Sequence, residues 1–269
     1  MAKEYSLLMS VYKKDKADEL RQSLESVMTS SVLPSEFILV EDGKLTNELE
    51  ETIKEYNDKY DFIKIIEIPE NKGLAHALNV GLKYCSSNYI ARMDSDDISL
   101  PMRFERQLTF MEEHPDVDCV GTWAIEIKSD GSEFFRKQMP VTHEECRNFF
   151  MKRDCMIHPT VMFRRSYIEK AGFYAEDTYF GEDTMMWAQG FANGCKLSNI
   201  PEYLFKFRLN DDFFNRRRGL KHAIGILKLR WRVNRILNYP LKSYLYAVAY
   251  AIAKMMPTKI LNLIYKGMR

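Results

Sequence analysis

The first 93 residues alternate between short apolar runs and longer amphipathic segments, and this alternation limits the fold more than any other feature. The four apolar runs have strand length and lie at residues 5–11, 36–40, 62–68 and 89–93. The three segments between them have helical periodicity and lie at residues 16–30, 46–60 and 73–84. Strands that alternate with helices of this length predict an α/β fold, with a mostly parallel sheet and helices on both faces.

The pattern changes after Pro101, where longer spacings replace the regular alternation. We predict a helix at 101–114, followed by a hairpin of two strands at 117–127 and 133–138. Further predicted elements are a helix at 142–152, a short strand at 160–163 and a helix at 182–193. These elements complete one domain, which we place at residues 1–212.

The fourth apolar run ends in three carboxylates within four residues, Asp94, Asp96 and Asp97. An isolated buried carboxylate is costly, so the cluster either forms a solvated turn or faces a cation. The carboxyl ends of parallel strands line the crevice where α/β proteins bind ligands. Asp-x-Asp offers hard oxygen ligands for Mg²⁺ or Mn²⁺, and such an ion can neutralise a diphosphate as a bond to it breaks.

Composition indicates a globular chain, because 46% of its 269 residues are hydrophobic and 13% are aromatic. Its five cysteines are odd in number and form no CxxC pair, which argues against a disulfide framework and against structural zinc. Reduced cysteines fit the cytoplasm best. The residues before the first strand do not have the pattern of a signal peptide.

Several short motifs occur in an order that resembles the family 2 glycosyltransferases, which have the Rossmann-like, nucleotide-binding GT-A fold. The motifs extend from residue 5 to about residue 210, and their shared order is more specific than any single motif. In chain order they are Ser10-Val11-Tyr12, Glu41-Asp42-Gly43, Asn71-Lys72-Gly73-Leu74-Ala75, Ala77-Leu78-Asn79-Val80-Gly81, Ala91-Arg92-Met93-Asp94-Ser95-Asp96-Asp97, Leu100-Pro101-Met102-Arg103-Phe104-Glu105, His158-Pro159-Thr160-Val161-Met162-Phe163-Arg164 and Glu182-Asp183 with Trp187. The set is most similar to the branch that builds bacterial capsules, exopolysaccharides and O-antigens.

The resemblance implies a nucleotide-sugar donor, with a UDP-sugar favoured, and a divalent cofactor, Mn²⁺ or Mg²⁺. It implies that Asp96 ligates the metal, that Asp94 binds the ribose or supports the metal, and that Asp97 holds Arg92 or the backbone in place. It further implies that Ser10, Val11 and Tyr12 line the base pocket and that Asp42 accepts a hydrogen bond from the nucleobase. Asn71 and Gly73 would lie in a loop beside the nucleotide. Arg92 and Ser95, within the Asp-x-Asp motif, would also bind the donor. For Asp42 the alternative is a turn residue, and for the 71–73 segment it is an ordinary helix start.

The family places its catalytic base in the acidic pair that maps to Glu182 and Asp183. We assign the base to Asp183 first and to Glu182 second, because a carboxylate can take the proton of an attacking hydroxyl. A base opposite the leaving group implies one in-line displacement with inversion. His158 and Trp187 are the implied acceptor contacts, and for both residues core packing is the alternative.

The sequence departs from the family pattern at two places. Many relatives carry a histidine near the end of the catalytic domain that reaches the metal, whereas this chain has Asn210. A third protein ligand is therefore in doubt, and Asp211 or Asp212 would be a substitute. The acidic pair is followed by Thr184-Met185-Met186, where relatives often carry Tyr and a further Asp. This second departure concerns acceptor or sugar contacts rather than the base.

Residues 213–269 form a basic extension with 13 Lys and Arg and no Asp or Glu, whereas the preceding residues hold 26 basic and 38 acidic side chains. We predict a helix at 219–238, with an apolar stripe of Leu220, Ala223, Ile224, Leu227 and Trp231. The segment 241–256 is more apolar but too short to span a bilayer.

Basic residues mixed with apolar ones favour a helix in the interface of an anionic membrane, at its cytoplasmic face. The alternative is a helix pair that packs on the catalytic domain or on a second subunit in a homodimer. We discount nucleic acid as a partner because the segment is too apolar for an arm that follows phosphates.

The function we predict is transfer of a sugar from a nucleotide sugar to a lipid-linked sugar or growing polysaccharide. Two alternatives remain. A nucleotidyltransferase usually needs a glycine-rich basic loop after the first strand, and Lys13-Lys14 has no glycine beside it. An inactive nucleotide-binding assembly subunit would have no need for Asp94, Asp96 and Asp183.

Overall fold

Nine strands and nine α-helices make up the part of the chain that the computed structural model describes, which is residues 4–178, 180–210 and 219–255. The strands are β1 (Ser6–Val11), β2 (Glu36–Asp42), β3 (Ile63–Ile68), β4 (Tyr89–Arg92), β5 (Ile98–Ser99), β6 (Cys119–Lys128), β7 (Glu133–Lys137), β8 (Met162–Arg164) and β9 (Leu197–Leu209). The helices are α1 (Ala17–Met28), α2 (Asn47–Lys59), α3 (Leu74–Leu82), α4 (Arg103–Glu113), α5 (His143–Phe150), α6 (Arg165–Ala171), α7 (Glu182–Ala192), α8 (Leu220–Ile236) and α9 (Leu241–Met255).

All nine strands belong to one sheet in the order β3-β2-β1-β4-β8-β6-β9-β5, with β7 paired to β6. β1 to β4, β6 and β9 point in one direction, and β5, β7 and β8 run against them. The predicted α/β fold with a mostly parallel sheet is therefore confirmed. The parallel order brings the carboxyl ends of β1, β2 and β4 to one edge of the sheet.

Two apolar layers lie on opposite faces of this sheet, because successive strand residues point to opposite sides. In β1, Leu8 faces the layer that contains α3 and α7, whereas Leu7 and Met9 face the layer that contains α1 and α4. α3 approaches the sheet closely at Gly81, where a Cβ would lie 2.3 Å from Leu8 Cδ1. Helices thus cover both faces, as predicted.

The sequence analysis did not predict β5, α6 or β9, and β9 is the largest of these omissions. It is 13 residues long and pairs in parallel with β6. Pro201 interrupts its sequence, and a proline argues against a central strand. In the sheet, Thr122 pairs with Ile200 and Trp123 with Tyr203, so the proline falls in a bulge where it disturbs no ladder.

In the described part of the basic extension, α8 packs on the catalytic domain. Its buried side chains include Ala223, Ile226, Leu229 and Val233, and Leu229 fits against Gly181, where a Cβ would lie 2.3 Å from Leu229 Cδ2. Of the predicted apolar stripe, Ala223 is buried and Leu227 half-buried, whereas the remaining members are exposed: Leu220, Ile224 and Trp231. The side of α8 that packs is instead the one that carries Leu229, which fits against Gly181, and an interfacial role of the exposed stripe stays a prediction.

α9 packs back on α8, with the ring of Tyr244 4.8 Å from that of Trp231. Its outer face carries exposed apolar side chains, which are Leu241, Leu245, Val248, Ile252 and Met255. Within the described ranges, no helix combines the length and the apolar composition that crossing a bilayer requires. The predicted domain boundary at residue 212 lies outside the described residues, as do Asp211 and Asp212, and it stays a prediction.

Candidate active site

The three carboxylates after β4 form a compact cluster at the edge of the sheet. Asp94, Asp96 and Asp97 each place one oxygen within 4.8 Å of the others. Asp94 and Asp96 are half-buried, whereas Asp97 is fully buried. Burial and the neighbouring charge of Asp94 raise the pKa of Asp96 to about 6, and burial raises the pKa of Asp97 well above its ordinary value. Close carboxylates of this kind favour a bound cation.

Arg208 at the end of β9 fixes the loop that carries this cluster. Its backbone N–H donates to Asp97 Oδ1 at 2.7 Å, and its Nε donates to the carbonyl oxygen of Asp96 at 2.7 Å. A further bond from Nη2 reaches Gln22 Oε1 at 2.9 Å. Asp97 therefore holds the backbone of β9 in place, in agreement with the alternative that it supports a backbone segment.

Arg92, the last residue of β4, is buried beneath the cluster and forms an ion pair with Asp94. Burial alone would lower the pKa of this guanidinium, but the charges of Asp94 and other neighbours raise it. Among the described residues, its Nε and Nη1 have no hydrogen-bond partner. The same positive charge adds to the lowering of the pKa of His158 by burial, and it opposes slightly the raised pKa of Asp183.

Asp42 lies at the end of β2 and organises the loop before α3. Its Oδ2 accepts hydrogen bonds from Asn71 Nδ2 at 2.8 Å and from the Gly73 N–H at 2.9 Å, and its Oδ1 accepts from Lys72 N–H at 2.8 Å. Gly43 permits the backbone of Asn71 to come this close to the end of β2, because a Cβ at residue 43 would lie 2.5 Å from Asn71 N. Asp42, Asn71 and Gly73 thus form one unit, and their contacts with a nucleotide stay predictions.

The end of β1 carries the other predicted base contacts. Val11 is buried, while Ser10 and Tyr12 are half-buried. Asp15 connects this loop with the Asp-x-Asp loop, since its Oδ2 accepts from Tyr12 N–H at 3.1 Å and from Ser95 Oγ at 2.7 Å. Burial raises the pKa of Asp15 to about 7. The two hydrogen bonds oppose this rise, and the nearby carboxylates of Asp96 and Asp94 add a smaller increase.

Asp183 is the second residue of α7, and its carboxylate is half-buried beside a network that involves α8. Burial first, and then the charges of Asp154 and Glu182, raise its pKa to about 7. Asp154 Oδ1 accepts hydrogen bonds from Thr184 Oγ1 at 2.8 Å and from Arg230 Nη2 at 3.1 Å. Arg230 thereby fixes the helix that presents Asp183.

Trp187, on the buried side of α7, and His158 pack against each other in the core rather than at the open edge of the sheet. The His158 Nε2 is 2.9 Å from the hydroxyl of Tyr174, and its ring meets that of Trp187 edge-on at 6.0 Å. Both side chains are buried, and burial lowers the pKa of His158 well below its ordinary value. These contacts are those of core residues, and contact with an acceptor stays a prediction for both.

Asn210 follows β9 and occupies the position where relatives carry a histidine. Its Nδ2 donates to Asp96 Oδ2 at 2.9 Å. Its Oδ1 is buried and has no partner among the residues that the structure describes. An amide oxygen is a hard ligand of the same type as the carboxylates, so this donor set suits Mg²⁺ or Mn²⁺.

Comparisons with known proteins identify the family. Residues 6–172 match the family model described as "Glycosyl transferase family 2". The chain is 32% identical over 264 residues to the "Amylovoran biosynthesis glycosyltransferase AmsE" of Erwinia amylovora, which covers 97% of this chain and 98% of that protein. The chain belongs to glycosyl transferase family 2.

A second relative of this glycosyltransferase is the "UDP-Gal:alpha-D-GlcNAc-diphosphoundecaprenol beta-1,3-galactosyltransferase" of Escherichia coli. It is 32% identical over 265 residues, covering 98% of this chain and 95% of that protein. The "O-antigen biosynthesis glycosyltransferase WbnJ" of Escherichia coli is 30% identical over 209 residues, covering 77% of this chain and 80% of that protein. The predicted resemblance to the exopolysaccharide and O-antigen branch is confirmed.

Two solved structures establish the fold class. The mannosyltransferase PcManGT from Pyrobaculum calidifontis, in complex with GDP-Man and Mn²⁺, superimposes with a TM-score of 0.66 at 14% identity, covering 98% of this chain and 79% of that one. The S. aureus TarS 1–349 complex with UDP-GlcNAc gives a TM-score of 0.64 at 16% identity, covering 94% and 82%. At these identities the likeness shows the fold alone, and the predicted GT-A fold is confirmed.

Four residues of this glycosyltransferase's site were missed from the sequence: Asp15, Asp154, Arg208 and Arg230. Asp15 lies in a polar loop after β1, so its position at the edge of the sheet offered a signal. Arg208 and Arg230 offered none, because both act on partners that are 76 to 186 residues away in the chain.

Proposed function

We propose that this glycosyltransferase is inverting and metal-dependent, and that it moves a sugar from a UDP-sugar to a lipid-linked sugar or growing polysaccharide of the cell surface. The observation that carries the proposal is the carboxylate cluster at the end of β4, whose oxygens lie within 4.8 Å of one another. The E. coli relative is named for UDP-Gal and a diphosphoundecaprenol acceptor, which supports both substrate classes. The TarS complex with UDP-GlcNAc further supports a UDP-sugar.

Asp96 and Asp94 are the proposed metal ligands, with Asn210 Oδ1 as the third oxygen. The orphaned amide oxygen and the close carboxylates fit Mn²⁺ or Mg²⁺, and the Mn²⁺ in the PcManGT complex supports that choice. Such an ion would neutralise the charge that develops on the diphosphate when its bond to the sugar breaks. Arg208 and Asp97 hold the loop that carries these ligands.

Donor binding in this proposal uses the segments that follow β1, β2 and β4, which are neighbours in the sheet. Ser10, Val11 and Tyr12 line the base pocket, and Asp42 orders Asn71 and Gly73 beside it. Adjacent strands lie about 4.8 Å apart, so the ends of β2 and β4 are about 10 Å apart across β1. This span separates the nucleobase from the diphosphate end of the donor, where Arg92 and Ser95 lie.

The acceptor hydroxyl loses its proton to the carboxylate of Asp183 as its oxygen bonds to the anomeric carbon. The bond between that carbon and the diphosphate breaks in the same step, and the configuration inverts. A base works best when its pKa is near the working pH, and the pKa of about 7 at Asp183 meets this condition. Glu182, beside it, is the second choice.

The exposed apolar side chains of α9 and the basic residues of the extension support a peripheral position at the cytoplasmic face of the membrane. Flotation with anionic liposomes at low and high salt tests this position. Salt screens the attraction between the basic residues and the anionic lipids, but it does not weaken the insertion of apolar side chains. We expect binding that is weakened but not abolished by salt. Full-length protein that ignores anionic liposomes would instead indicate that α9 packs against a second subunit.

The function is tested by a screen of nucleotide sugars with Mn²⁺ or Mg²⁺, scored by release of nucleoside diphosphate. We expect release from a UDP-sugar that stops when the metal is chelated. Turnover of a nucleoside triphosphate with a sugar phosphate instead would identify a nucleotidyltransferase. Tight nucleotide binding without any turnover would identify an inactive assembly subunit.

A further inference from the structure

An open groove of about 700 Å³ runs between α7 and α8, away from the carboxylate cluster. We name it the α7–α8 groove, and its lining residues are Gln189, Leu227, Lys228, Trp231, Arg232, Arg235 and Ile236. The groove thus combines three cationic side chains with three apolar ones. Arg232 is paired with Asp177 at 2.8 Å. Within the described part of the chain, the side chains of Lys228 and Arg235 have no hydrogen-bond or ion-pair partner, so their charges are available to a ligand.

The position of this groove is fixed relative to the proposed base. Asp183 and Gln189 both lie on α7, six residues or about 9 Å apart at the helical rise of about 1.5 Å per residue. α8 is held on α7 through Arg230, which donates to the Phe150 carbonyl oxygen at 3.0 Å and to Asp154, while Asp154 accepts from Thr184. The groove and the proposed base therefore share α7, and the packing of α8 fixes the distance between them.

The groove selects for an anion attached to an apolar chain. A lysine offers a compact positive charge and an arginine a fork of donors, and both suit phosphate oxygens. Leu227, Trp231 and Ile236 line the same groove. The ring of Trp231 contacts that of Tyr244 on α9, and the exposed face of α9 is apolar. α8 and α9 contain no Asp or Glu that would repel a diphosphate.

We propose that the α7–α8 groove binds the diphosphate of a polyprenyl-diphosphate-linked acceptor. Lys228 and Arg235 contact the diphosphate, the sugar points toward Asp183, and the polyprenyl chain follows Trp231 toward α9. This inference rests on the proposed function, since it specifies where the lipid-linked acceptor of that function is held. It commits to the acceptor rather than to an anionic membrane lipid, because Gln189 at one side of the groove belongs to the helix that carries the base.

The direct test is binding of farnesyl diphosphate to the full-length protein by calorimetry, with EDTA present so that no cation draws the probe to the carboxylate cluster. The variant is Lys228→Gln/Arg235→Gln, and the matched control is Lys221→Gln/Lys242→Gln, which removes the same charge outside the groove. We expect the groove variant to bind about tenfold more weakly or worse, and the control variant to bind as the wild type does. Equal affinities in the two variants would overturn the proposal.

Kinetics then distinguish the acceptor from a membrane lipid. In detergent micelles, the groove variant should raise KM for a polyprenyl-diphosphate-linked sugar by about tenfold, without changing the affinity for UDP. KM for the same sugar on a neutral aglycone should not change. An unchanged KM in micelles together with weaker flotation on anionic liposomes would show that the groove binds membrane lipid, which overturns the inference.

The failure of the proposed function has a different signature. If the wild type transfers sugar to no acceptor yet binds farnesyl diphosphate through Lys228 and Arg235, the proposed function is wrong and the groove assignment stands. If the wild type transfers sugar normally and the groove variant matches the control in both assays, the groove assignment alone is wrong.

Discussion

The Nδ2 of Asn210 lies 2.9 Å from Asp96 Oδ2, although 114 residues separate the two in the chain. This contact joins the end of β9 to the end of β4 at the proposed metal site. The Oδ1 of the same amide is buried without a partner among the described residues. Turning the amide over would direct this oxygen toward a cation at Asp96, as an amide offers both a donor and an acceptor.

Replacing Asn210 by alanine should weaken metal-dependent UDP binding by about 10–100-fold, the usual cost of losing a supporting residue at a metal site. Asn210→His should retain most of that binding, because imidazole can also ligate Mn²⁺. Calorimetry of UDP at a series of Mn²⁺ concentrations measures both effects. Asn193→Ala, at the end of α7, serves as the control, and an unchanged Asn210→Ala would show that the amide has no part in the site.

Asp96→Asn should leave the fold intact and abolish Mn²⁺-dependent UDP binding. The residue lies in a loop, and its amide analogue keeps the volume while removing the charge that attracts the cation. Calorimetry of UDP with and without Mn²⁺ measures the loss, with Asp58→Asn on the exposed surface of α2 as the control. Metal-dependent affinity that equals the wild type would remove Asp96 from the site.

Asp183→Asn should bind the donor normally and lose transfer by roughly 10²–10⁴-fold, which is the usual contribution of a positioned general base. The loss should appear in kcat rather than in the affinity for UDP, because the proton moves only during the reaction. Steady-state rates with saturating donor measure it. Near-normal turnover in Asp183→Asn combined with an inactive Glu182→Gln would reassign the base to Glu182.

Transfer should rise with pH through about pH 7 and then level off, because the base acts as a carboxylate and the pKa of Asp183 is about 7. Removing a neighbouring negative charge favours the ionised form, so Asp154→Asn should move this limb to lower pH. A pH profile of kcat/KM measures the shift, and Asp116→Asn on the distant surface should leave it in place. A wild-type profile that is flat from about pH 5 to about pH 9 would contradict a raised pKa at the base.

Gly81→Ala should destabilise the fold by about 1–3 kcal/mol, the usual cost of overpacking a close contact. The added Cβ would lie 2.3 Å from Leu8 Cδ1 and 2.8 Å from Val40 Cγ2, so α3 would have to move away from the sheet. Urea unfolding followed by circular dichroism measures the change. Glu51→Ala on the exposed side of α2 should change the free energy of unfolding by less than about 0.5 kcal/mol, and an equal effect of the two substitutions would refute the packing argument.

The sequence by itself determined the elements whose signal is local. The period of apolar residues predicted β1 to β4 and the helices between them, because one face of each must be buried whatever surrounds it. The Asp94 to Asp97 cluster was equally local, since three carboxylates within four residues at a strand end require water or a cation. The motif order then gave the family, which the family match and the relatives confirmed.

Tertiary structure alone decided which distant residues support that site. β9 lies inside the sheet because its proline falls in a bulge opposite β6, and no local pattern reveals a bulge before its partner strand is known. Arg208 reaches the carboxylate loop and Arg230 reaches Asp154 only because β9 and α8 pack beside them. A single arginine forms no periodic pattern. The roles of Arg208 and Arg230 depend on contacts with residues far away in the chain, and no local sequence pattern predicts such contacts.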